Sequence, residues 1–162
     1  MNGLGHMTHE RCGKCFIHGR KVMYAGGSVI DPMHLAVLRT ILTRLRGSDV
    51  TWAVTGSLGF ALQGMPINPH DIDIQTDQAG VYEIERRLNG YVTRRIVFAE
   101  TERIRSHFGA AMLDGIAVEI MGALQKRLPN GAWEPPVDVA PHTRIIEVEA
   151  LRVPVLSLDY EY

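Results

Sequence analysis

Asp71 and Asp73 stand two residues apart near the end of the stretch 52–76, WAVTGSLGFALQGMPINPHDIDIQT. The stretch reads as a buried strand, a Gly-Ser turn opening a helix, a loop and a second strand. On a strand, residues i and i+2 share a face, so the two carboxylates lie side by side while Ile72 and Ile74 turn towards a core. Adjacent carboxylates repel, and a cation between them relieves the repulsion. Hard oxygen donors in a phosphate enzyme suit Mg²⁺. Gly56 and Ser57 sit at the mouth of the preceding helix, where unpaired backbone N–H groups favour an anion. A phosphate cradle and a metal-binding pair in one strand–helix–strand unit point to a nucleotide site.

A third acid comes from further along the chain. In the run 116–121 Ile116, Val118 and Ile120 alternate with Ala117, Glu119 and Met121, which places Glu119 in an otherwise apolar strand. A carboxylate there is costly unless paired or bound to metal. Each candidate has a plainer reading beside it. The aspartates could line a solvated strand edge, Ser57 could simply cap its helix, Gly56 could relieve a tight turn, and Glu119 could pair with an arginine. His70, in a proline-rich loop, is a candidate phosphate contact or an exposed side chain. Arg94, Arg95, Arg103 and Arg105 could clamp a phosphate or an acceptor, but a charged sheet edge explains most of them.

These residues need a scaffold, and 162 residues are enough for one domain with a real core. Apolar residues make up 46% and charged residues 22%, a globular balance, and the formal net charge of −1 provides no global field to recruit nucleic acid. No apolar run approaches the ~20 residues of a membrane span. No signal-peptide hydrophobic region opens the chain, and two cysteines make no disulfide framework, so a cytoplasmic location is expected.

Residues 1–28 show no periodicity and read as a disordered extension, with the folded domain over 29–162. His6, His9, Cys12, Cys15 and His18 recur every third residue. Cys12 and Cys15 could form half a zinc site, but the second pair at loop distance is missing. Asp31-Pro32 is a helix start, and Leu35, Leu38, Ile41, Leu42 and Leu45 follow at helical spacing up to Gly47. Strands are expected over 50–55, 71–76 and 91–98, and helices over 57–64 and 77–88. A hairpin over 108–121 turns at Asp114-Gly115. Residues 99–107 read as a loop or strand extension, and 122–136 as a helical turn and a loop around Trp133. Two short strands over 144–149 and 152–156 follow, leaving no room for a further helix. The alternation of strands and helices argues for α/β.

The Gly56-Ser57 turn, the run Pro69-His70-Asp71-Ile72-Asp73 and the third acid in Val118-Glu119-Ile120 resemble the nucleotidyltransferase (polymerase β-like) superfamily. The likeness is greatest to minimal nucleotidyltransferases and to aminoglycoside and lincosamide nucleotidyltransferases, and covers roughly 33–158. The resemblance implies an α/β (α+β) fold, a small mixed β-sheet flanked by helices with the active site along one edge. It implies that Gly56 and Ser57 hold a nucleoside triphosphate such as ATP, and that Asp71, Asp73 and Glu119 are catalytic and bind two Mg²⁺ ions. The activity implied is transfer of a nucleoside monophosphate to a hydroxyl of a small molecule or protein. Two other roles fit the same resemblance: an antitoxin-like module bound to a separate helical protein or to a second copy, and an inactive nucleotide-binding scaffold.

Overall fold

The computed structural model describes residues 30–161 and, as backbone alone, 17–18, 21–23 and 29. The expected extension 1–28, with Cys12 and Cys15, lies for the most part outside the described residues. Within it the short strands β1 (Ile17–His18) and β2 (Lys21–Met23) pair antiparallel, and β2 pairs with β3 (Val29–Ile30).

Helix α1 (Pro32–Leu45) begins where its sequence signals place it. The Asp31 side chain accepts the Met33 N–H at 2.8 Å, and Pro32 occupies the first turn, where no N–H is needed. Strand β4 (Trp52–Thr55), α2 (Gly56–Leu62) and β5 (Ile72–Thr76) form the expected strand–helix–strand unit. Helix α3 (Gln78–Arg87) is capped by Asp77, which accepts the Gly80 N–H. The chain continues through β6 (Val92–Glu100), β7 (Ile104–Leu113), β8 (Ile116–Lys126), β9 (Thr143–Val148) and β10 (Leu151–Leu156) to α4 (Leu158–Glu161).

Seven strands form one mixed sheet in the order β6-β7-β8-β5-β4-β10-β9. β5 runs parallel to β8 and β4 parallel to β10, and the remaining neighbours are antiparallel. This is a mixed α+β sheet flanked by helices.

One face is packed. Ile72, Ile74, Val118, Ile120, Val54 and Val155 bury there with Leu35, Leu38 and Ile41 of α1, Val81 and Ile84 of α3, and Leu88 just after it. A side chain at Gly122 would collide with Val81, coming within 2.6 Å of its Cγ1, so the missing Cβ is what lets α3 lie on β8. The other face carries Thr55, Asp73, Gln75, Glu119 and Met121. Ala53 and Leu156 on that face pack against Val139 and the ring of Tyr160.

Two stretches differ from expectation, and a third, read as a loop or strand extension, is both. Residues 99–107 are the end of β6, a turn and the start of β7. Residues 122–126 continue β8 as a strand, and Arg127 bridges to Trp133 in place of a helical turn. The chain also finds room for α4, a single turn.

Candidate active site

The site is built by register. Thr55 pairs with Asp73, Asp73 with Glu119, Glu119 with Ala110, and Ala110 with Arg94, so one row crosses five strands. Paired positions in a sheet project to the same side. Asp73 and Glu119 are therefore neighbours on one face, delivered by the parallel pairing of β5 with β8. Asp71 lies one residue before β5 begins, outside the ladder, yet close enough for its charge to act on Asp73. Asp71, Asp73 and Glu119 make no ion pair among the described residues, so the arginine-paired reading of Glu119 does not hold there.

The helix mouth faces the same acids. Gly56 has φ 62°, a left-handed conformation open to glycine at little cost, and a Cβ on it would run into the Asp73 carboxylate, 3.2 Å from Cγ. Two constraints thus select glycine at one position. Thr55, the residue before α2, makes no side-chain cap. Its hydroxyl donates instead to Glu161 Oε1 at 2.8 Å, and the Gly56 N–H is also directed to that carboxylate. Ser57 is half-buried beside it, while His70 is exposed at the entry to β5.

The electrostatics follow from this crowding. Burial, then the charges of Asp71, Glu119 and Glu161, raise the Asp73 pKa to about 7. Glu161 is raised by burial, partly offset by the Thr55 and Gly56 hydrogen bonds and by Lys126. A face with three carboxylate oxygen donors and a shortage of positive charge suits a hard divalent cation, which would favour the ionised form of Asp73. Among the described residues no three acidic, histidine or cysteine side chains yet close around one point. The donor chemistry of these carboxylates is that of a hard-cation site.

Glu161, Thr55 and Gln75 were not singled out by sequence. Thr55 and Gln75 follow from the strand period once Asp73 is assigned a face. Glu161 lies in a one-turn helix with no periodic signal. Among the arginines, Arg105 contacts Gln125 and Glu100 and lies over Trp133, and Arg95 reaches Glu85, which makes them parts of the sheet surface. Arg94 lies over the Phe108 ring at the end of the acidic row.

Comparison with known proteins agrees with this fold. A protein from Thermotoga maritima, provisionally assigned as a nucleotidyltransferase, has a crystal structure that superposes with a TM-score of 0.80 at 54% identity, covering 82% of this chain and 83% of its own. The crystal structure of ANT(2″)-Ia in complex with adenylyl-2″-tobramycin shares the fold at a TM-score of 0.51 and 14% identity, over 77% of this chain and 70% of that one. No curated protein matches. The family model for aminoglycoside-2″-adenylyltransferases matches residues 37–162, the greater part of the chain. The chain is thus an enzyme of the nucleotidyltransferase class, and it belongs to the aminoglycoside-2″-adenylyltransferase family.

Proposed function

We propose that this enzyme is Mg²⁺-dependent and moves a nucleoside monophosphate, with ATP as donor, onto the hydroxyl of a small molecule. The observation that carries the reading is the row Thr55–Asp73–Glu119 with Gly56 packed against Asp73. It supports a phosphate cradle and an acidic centre on one sheet face. The N–H groups of Ser57 and, in exchange for its bond to Glu161, of Gly56 would hold the triphosphate, and His70 would contact it from the loop. Asp71, Asp73 and Glu119 would hold Mg²⁺. Held there, the metal would supply neutralisation of the charge on the attacking and leaving oxygens. The acceptor oxygen forms a bond to the α-phosphorus, the bond to pyrophosphate breaks, and the hydroxyl proton passes to the acidic cluster. Glu119 is the member of that cluster on the side away from the cradle, where the acceptor approaches. Positioning and charge neutralisation supply the acceleration.

A small-molecule acceptor is favoured over a protein one by the family description and by the adenylylated tobramycin bound to ANT(2″)-Ia. The test is incubation with labelled ATP, Mg²⁺ and a panel of hydroxyl compounds that includes tobramycin. Label should pass to an acceptor, and Asp71→Asn with Asp73→Asn should abolish it. A folded sample that shows no Mg²⁺-dependent triphosphate binding defeats the reading.

A further inference from the structure

His34 is a buried polar residue that the reaction outlined above does not use. It lies in the first turn of α1 on the same inner side as Leu35 and Leu38, with 4% of its surface exposed. Neither Nδ1 nor Nε2 has a hydrogen-bond partner. A neutral imidazole has one donor and one acceptor, and buried polar atoms of this kind are nearly always satisfied. A leucine would fill the place without that cost, so the exception needs a reason.

The surroundings supply one. The groups that bear on the ring are Asp31, His70 and Asp71. The His70 backbone approaches it, but not in hydrogen-bond geometry. Burial keeps the ring neutral against the pull of the two aspartates. Asp71 is the one acid of the three that the sheet does not fix. Ladder pairing in β5 starts at Ile72, whereas Asp73 and Glu119 are held by their register. So the loosest member of the acidic set sits beside an imidazole that lacks partners, and the set has not closed around a point.

We infer that His34 is the positioning residue for Asp71. In the cation-loaded enzyme its ring N–H donates to the His70–Asp71 segment and fixes the Asp71 carboxylate towards Asp73 and Glu119. This inference rests on the proposed function, and the test separates the two. Mn²⁺ binding is titrated calorimetrically for wild type, His34→Leu and His34→Gln, and thermal melting is recorded in chelator.

His34→Leu should melt at or above the wild-type temperature while binding Mn²⁺ about tenfold more weakly. Its kcat should fall with little change in KM for ATP, and His34→Gln should recover part of the loss. In wild type labelled with ¹⁵N at histidine, adding Mg²⁺ should shift the His34 ring nitrogens. That measurement stands even if the leucine variant does not fold. Wild-type Mn²⁺ affinity in His34→Leu, or ring signals indifferent to Mg²⁺ that demonstrably binds, overturns the positioning role alone. A wild-type protein that binds neither Mn²⁺ nor Mg²⁺ overturns the proposed function with it.

Discussion

Asp73 and Glu119 are direct register partners on parallel strands, so the backbone holds two carboxylates side by side before any ligand arrives. Burial, and then the neighbouring carboxylates, raise the Asp73 pKa from an ordinary 3.8 to about 7. Between those values the folded chain binds more protons at Asp73 than the unfolded chain does, so stability falls as pH rises through this window. In chelator, the melting temperature should drop from pH 5 to pH 8, and Asp73→Asn should flatten much of that slope. Calorimetry at several pH values checks it. An equal slope in the variant means that Asp73 titrates normally.

Gly56→Ala should suffer twice, once from φ 62° and once from the Asp73 carboxylate. The left-handed backbone alone costs an alanine about 1–2 kcal/mol. Gly64 provides the control, because its φ is 92° but a Cβ there would meet nothing within 4 Å. Gly64→Ala should therefore lose stability and keep transfer activity, while Gly56→Ala should lose more stability and most of its activity. Equal losses of both kinds in the two variants would rule out the close approach to Asp73.

Gly122→Ala tests the opposite face of the sheet. The added methyl meets Val81 at Cγ1 and Cβ and lies 2.8 Å from the Asp77 carbonyl oxygen. Overpacking of this kind costs about 1–3 kcal/mol. The urea midpoint should fall with the slope unchanged, and pairing it with Val81→Ala should restore part of the loss. Full wild-type stability in the single variant would show that α3 can move off the sheet freely.

Glu161 bonds the Thr55 hydroxyl and faces the N–H of Gly56, which the proposed function assigns to the triphosphate. Its carboxylate repels polyphosphate there. Glu161→Gln keeps an acceptor for both donors and removes the charge. An exposed or half-exposed charge acts with about 0.2–1 kcal/mol, so KM for ATP should fall by up to about fivefold. A rise in KM would mean that Glu161 assists binding.

How much of this was legible beforehand differs by region. The unit from Trp52 to Thr76 could be read because its strands are buried on the core face and its turn and loop contain glycine and proline, leaving one choice of period. Asp31-Pro32 and Asp77 announced their helices by capping chemistry. Asp114 and Gly115 both have positive φ, as an Asp-Gly hairpin turn requires. The outer hairpin was harder. β6 exposes Arg94, Arg95, Val97 and Phe98 and buries little beyond Ile96, so no alternation survives in its sequence.

The run Gly122-Ala123-Leu124-Gln125-Lys126 looks helical because alanine, leucine, glutamine and lysine all favour helix. It is a strand because β7 pairs with it, and the register shift between Arg105 and His107 lies opposite Ala123, whose φ is 52°. That is a tertiary decision. His34 also escaped attention, because a histidine on the apolar side of a helix gives no local sign that its ring will lack partners.

The parallel pairing of β5 with β8 has a kinetic side. The meander β6–β7–β8 can zip up from its tight turns, using contacts between residues close in sequence. β5 must wait for a long loop to close before it finds β8, and such non-local pairings form slowly. Asp73 and Glu119 therefore meet only at that late junction. During refolding, recovery of transfer activity should lag behind the β-sheet signal in far-ultraviolet circular dichroism, making catalysis a reporter of that non-local junction.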